Sequence, residues 1–103
     1  MSHLKIIWED DALKLLMDRD RYTRHVIQEE FRQNPQKDAI VLDVAEGDFL
    51  TQVSNKRYTV VWRLDEMRQQ AIVRAVVPLT NVDPQSDGLK DYVQRAVERE
   101  IKR

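Results

Sequence analysis

Residues 56–77, KRYTVVWRLDEMRQQAIVRAVV, decide the fold of this chain. Two runs rich in Val, Ile, Trp and Tyr alternate with period two and flank DEMR (65–68), the pattern of a β-hairpin. The positions that should face water carry Arg57, Arg63 and Arg74 mixed with Val61, Ile72 and Val76. That half-basic, half-apolar second face is the feature to be explained.

A turn at DEMR pairs Leu64 with Gln69, Trp62 with Ala71, Val60 with Val73 and Tyr58 with Ala75. A turn at Asn55–Lys56 pairs Val53 with Tyr58, Thr51 with Val60 and Phe49 with Trp62. Both registers place Phe49, Val53, Tyr58, Val60, Trp62, Val73, Ala75 and Val77 on one face, which is read as the core under two N-terminal helices. A slip of one residue would send every side chain of a strand to the other face. Burying each large apolar side chain contributes roughly 1.5–3 kcal/mol, so the register is well specified.

The opposite face then holds Leu50, Gln52, Ser54, Arg57, Thr59, Val61, Arg63, Gln70, Ile72, Arg74 and Val76. Leu50, Val61 and Ile72 form an apolar row across three strands, with Arg74 opposite Thr59 and near Gln52. A fully solvated face has no need of such a row, so something covers it. A C-terminal helix can close it, as can a partner segment or a second copy of the chain, or a helix that gives way to a partner.

Outward from the hairpins, HLKIIW (3–8) reads as a short strand, and Asp10 or Asp11 as the cap of a helix over ALKLLM. Asp20 caps a second helix, RYTRHVIQEEFRQ (21–33), with Tyr22, Val26, Ile27 and Phe31 as its apolar stripe. Asn34–Pro35 ends it, because the residue before proline avoids helical angles. DAIVLDV (38–44) is a strand, and AEGD turns the chain at Gly47 into FLTQVS (49–54). Pro78 ends the last strand, having no N–H for a ladder. LKDYVQRAVEREIKR (89–103) is a helix with Leu89, Tyr92, Val93, Ala96, Val97 and Ile101 on one stripe. The order is β-α-α-β-β-β-β-α. The predicted class is α+β: a helical hairpin on a mainly antiparallel sheet of about five strands (ordinary strand lengths being ~5–6 residues), with a C-terminal helix.

The totals fit that class. At 103 residues the chain is expected to form one domain over 1–103. An apolar fraction of 42% with 34% charged residues is globular rather than disordered. No cysteine is present, which excludes disulfides and thiolate chemistry. The N-terminal apolar run is too short for a signal peptide or a membrane span, so a cytoplasmic protein with no membrane partner is expected. Seventeen basic and eighteen acidic side chains leave a net charge of −1, against the strong positive balance of a nucleic-acid binder.

No Gly-rich phosphate loop, HExxH or GxSxG motif occurs. His3 and His25 lie far apart in sequence. Asp10, Asp11, Glu29 and Glu30 read as helix-end and solvated acids rather than converging metal ligands, so neither a metal nor a cofactor is expected. The arginines of the sheet form a polar set converging from several strands. Arg57, Arg63 and Arg74 can bind phosphate bidentately, or can instead cover apolar surface with their stems.

The strand entering W..DAL..L, the helical hairpin closed by NP, and the run from Asp48 to Val77 resemble the RelE/ParE superfamily of small bacterial toxins, over residues 4–79. The resemblance implies a toxin module of a toxin–antitoxin system, acting on the translation or gyrase machinery. It implies an antitoxin-like peptide across the sheet face, with RNA or the ribosome as a further partner. Any reaction would be metal-independent endoribonuclease cleavage, in which cations stabilise charge on the phosphate and a base accepts the proton of the attacking hydroxyl. Arg74, Arg57 and Arg63 are the candidate catalytic cations. Leu50, Gln52, Arg57, Thr59, Val61, Arg63, Ile72 and Arg74 are the candidate binding face, and Tyr92 is the late tyrosine. The family's arginine after the strand-three tyrosine falls on Thr59, its preceding lysines on Leu50 and Gln52, and its last basic segment on Leu79, Thr80 and Asn81. The alternative reading is a non-enzymatic interaction domain on the same scaffold, homodimeric or closed by its own helix.

Overall fold

A computed structural model of the chain describes residues 4–80 and 82–102; His3 and Asn81 therefore lie outside the described residues. The elements run β1 (Lys5–Trp8), α1 (Asp10–Met17), α2 (Arg21–Gln33), β2 (Ile40–Asp43), β3 (Asp48–Val53), β4 (Tyr58–Asp65), β5 (Gln70–Val77) and α3 (Leu89–Ile101). The sheet order is β1-β5-β4-β3-β2. β2 to β5 form an antiparallel meander, and β1 lies parallel to β5 at the edge. The fold is α+β, as the hydrophobic pattern predicts.

The helix ends follow their local chemistry. Asp20 caps α2 by accepting the Thr23 N–H at 3.2 Å. α1 corrects the expected cap: Glu9 occupies the N-cap without a side-chain bond to the helix, while Asp10 and Asp11 sit in the first turn. There their charge favours the positive end of the helix dipole. Of the α2 stripe, Ile27 and Phe31 are buried, whereas Tyr22 is exposed.

The β3–β4 register is the predicted one: Val53 with Tyr58, Thr51 with Val60, Phe49 with Trp62. The β4–β5 register differs. Leu64 pairs with Ala71 and Trp62 with Val73, two residues from the expected alignment, so the faces near the turn are kept. A β-bulge then interrupts the ladder, because Trp62 opposes Val73 but Val61 opposes Ala75. Arg74 is the extra residue, and a single extra residue reverses which face the rest of its strand presents. Ala75 and Val77 consequently lie on the face opposite the one expected, and Val76 enters the core instead.

Two apolar layers result. Under α2, Trp62 is fully buried, stacked on Phe49 at 5.0 Å between ring centroids and edge-on to Phe31 at 5.8 Å. Its Nε1–H donates to Thr51 Oγ1 at 2.9 Å, and that hydroxyl donates to the Pro35 carbonyl. On the other face, α3 lies across the sheet with Val93 and Ala96 buried, while Tyr92 and Ile101 of its expected stripe stay exposed. The layer beneath it contains Leu50, Val61, Ala75 and Val77, joined by Leu15 of α1. The expected row of Leu50, Val61 and Ile72 is thus Leu50, Val61 and Ala75; the two-residue shift in register places Ile72 opposite Arg63 instead. No helix among the described residues is long and apolar enough to cross a membrane.

Candidate functional site

The site is the cleft that α3 leaves against the sheet. It has a volume of about 390 Å³, with Val61, Ala75, Val93 and Val97 on its apolar lining. Around them stand three cations, Arg63, Arg74 and Lys90, and six carboxylates, Glu9, Asp11, Asp43, Glu46, Asp48 and Glu98.

Asp48 organises the cations. It starts β3 directly opposite Arg63 on β4 and is 8% exposed. Arg63 donates from Nε to Asp48 Oδ1 at 2.9 Å and from a terminal nitrogen to Oδ2 at 3.4 Å, while Glu46 stands 3.2 Å from the same guanidinium. Arg74 lies 3.7 Å from Asp48 Oδ2 and 3.5 Å from Glu9. The Arg63 guanidinium is held above its ordinary pKa, chiefly by the Asp48 hydrogen bond. It stays a fixed cation with its charge spent locally.

At the other side of the cleft Lys90, in the first turn of α3, donates to Asp43 at the end of β2. The Lys90 ammonium is raised, first by this hydrogen bond and then by the Asp43 charge. Asp43 is lowered by the same bond and by the Glu46 backbone N–H. The pair fastens the start of the covering helix to the rim of the sheet.

The expected binding face is divided by this arrangement. Arg63 and Arg74 come together at Asp48. Arg57 is exposed in the β3–β4 turn, six residues from Arg63 and hence about 20 Å away along an extended strand. Leu50 and Thr59 are fully buried and Val61 is 7% exposed, under α3 and the segment leading to it. Thr59 Oγ1 donates to the Leu79 carbonyl at 2.9 Å, so it ties down the strand exit. Gln52 and Ile72 are half-buried. Arg74 does not face Thr59, as the expected register required; Val77 takes that place. Tyr92 is exposed on α3, and His25 is exposed on α2. Among the described residues no group of three His, Cys, Asp or Glu side chains is placed to hold a metal ion.

Sequence reasoning missed the carboxylates. Asp48 was within reach of it, since the β3–β4 register that pairs Val53 with Tyr58 also pairs Asp48 with Arg63. Glu9 was not, because it reaches Arg74 only through the parallel pairing of β1 with β5, which leaves no local signal.

No protein-family model matches the chain, and no curated protein matches it either. Solved structures do. An arginine-to-alanine mutant of the E. coli toxin RelE in the free state is similar over 96% of this chain and 98% of its own, with a TM-score of 0.60 at 14% identity. The isolated E. coli RelE toxin is similar over 89% and 97%, with a TM-score of 0.58 at 14% identity. The intact E. coli RelBE toxin–antitoxin complex contains a chain similar over 71% and 93%, with a TM-score of 0.57 at 16% identity. Sequence identity this low carries a likeness of fold, and the fold of this chain is that of the RelE toxins.

Proposed function

We propose that the chain is a toxin-module protein on the RelE scaffold that works through a protein interface at the α3 side of its sheet. The observation that carries this reading is the neutralisation of its inner arginines. A phosphate-cleaving groove needs cations facing the place where charge develops. Here Arg63 and Arg74 face Asp48, Glu46 and Glu9 instead. The RelBE complexes with similar folds hold their toxin chain together with an antitoxin, which supports a protein partner for this chain too. Inhibition by binding, to the ribosome or to gyrase, then requires no catalytic residue on the sheet.

Induction of the gene alone in a bacterial host tests the reading, with Arg74→Ala beside it. Growth arrest by both forms is expected. Arrest lost in Arg74→Ala would restore a phosphate-binding role for the arginine. No arrest by either form would remove the toxin reading and leave the non-enzymatic interaction domain, which the net charge of −1 also favours.

A further inference from the structure

We infer that the cleft between α3 and the sheet is a docking groove for a basic, amphipathic segment of a partner protein. The inference rests on the reading of the chain as a partner-held module and names the chemistry of that partner.

The cleft pairs an apolar lining with an unbalanced rim. Six carboxylates stand against three cations, and each of those cations already faces a carboxylate. Asp11 and Glu98 pair with no cation among the described residues, and both are exposed. Glu46 and Glu9, though paired, keep side-chain exposures of 59% and 50%. They have room to accept further hydrogen bonds. The field at the mouth is therefore negative, and it steers cationic groups in while repelling a phosphate backbone.

The apolar lining decides between a small cation and a peptide. Val61, Ala75 and Val93 are already closed off between α3 and the sheet, but half-buried Leu42 and Val97 and exposed Ile101 also line the cleft. These three offer nothing to a hydrated cation, whereas one or two aliphatic side chains of a segment would bury against them. Lysine or arginine on either side of those aliphatic positions meets Asp11 and Glu98. α3 can stay in place during docking, because the cleft exists with the helix seated.

Selection of short random peptides displayed against the immobilised full chain tests this, with the Asp11→Asn/Glu98→Gln variant as counter-screen. Both substitutions are on exposed side chains, and an unchanged thermal transition confirms that the variant is folded. Enriched sequences are expected to be net basic with aliphatic positions between the charges. Their binding should weaken as salt rises and fall about fivefold or more in the double variant. Acidic or uncharged enriched sequences, no enrichment, or basic binders indifferent to the double substitution would each overturn the inference. So would a homodimer that comes apart in the double variant, since the occupant would then be a second copy. The growth test separates the two readings: arrest without basic binders removes the groove's assigned partner alone, and basic binders without arrest remove the toxin role alone.

Discussion

Arg63 and Asp48 face each other across the β3–β4 ladder, Nε to Oδ1 at 2.9 Å, with Asp48 nearly buried. Arg63 is one of the three arginines that the sequence offers as candidate phosphate-binding cations. A guanidinium engaged by a carboxylate on its own sheet has little left to offer an RNA backbone.

Asp48→Asn should therefore change two properties in opposite directions. Removing the carboxylate strands Arg63 and part of the Arg74 interaction, which should lower stability by about 1–3 kcal/mol in urea unfolding. The freed cations should also raise affinity for a single-stranded RNA roughly severalfold at low salt, an increase that fades as salt rises. A stability loss with no gain in RNA affinity would show that the arginines are not held back by Asp48.

Deleting Arg74 should be tolerated better than deleting its neighbour. The ladder on either side of the bulge, Trp62 with Val73 and Val61 with Ala75, becomes continuous once the extra residue is gone. The deletion should keep Ala75 and Val77 under α3 and cost no more than about 2 kcal/mol. Deleting Val73 removes a fully buried side chain and shifts Ala71 and Ile72 against β4, and it should prevent folding. Amide exchange of β5 in the two variants decides the matter.

Thr51 connects the core indole to the chain after α2. In Thr51→Val the Trp62 N–H and the Pro35 carbonyl both lose their partner. About 1–3 kcal/mol should be lost for a stranded buried group. Adding Trp62→Phe removes the stranded donor, so the double variant should lose less than the sum of the single losses. Additive losses in urea midpoints would contradict the hydrogen bond.

The Asp43–Lys90 pair sets a pH window for the docking of α3. Asp43 is lowered from its ordinary 3.8 in the folded chain, so its contribution is complete above 3.8 and is lost as pH falls through the lower folded value. Lys90 is raised from 10.5, so its contribution is complete below 10.5 and is lost as pH rises through the higher folded value. Amide signals of the first turn of α3 should move in acid with the Asp43 titration while those of β4 hold still. Lys90→Met should abolish that movement and bring the Asp43 titration closer to 3.8.

The sequence by itself determined the element order, the α2 boundaries, the Asp20 cap and the β3–β4 register. Each depends on neighbours in the chain or on a period-two pattern that only one alignment satisfies. It also showed that the second face would be covered, because Leu50 and Val61 have no reason to stand in water. Tertiary structure decided which residues complete that face. The bulge at Arg74 exchanges Val76 for Ala75 and Val77, and alternation of apolar residues cannot mark it when Val occupies successive positions. The parallel pairing of β1 with β5 brings Glu9 to Arg74, and α3 brings Lys90 to Asp43 and Glu98 to the rim. Ionic partners separated by dozens of residues leave no periodic trace, so the chain reads in sequence as an arginine face and folds into an acid-rimmed cleft.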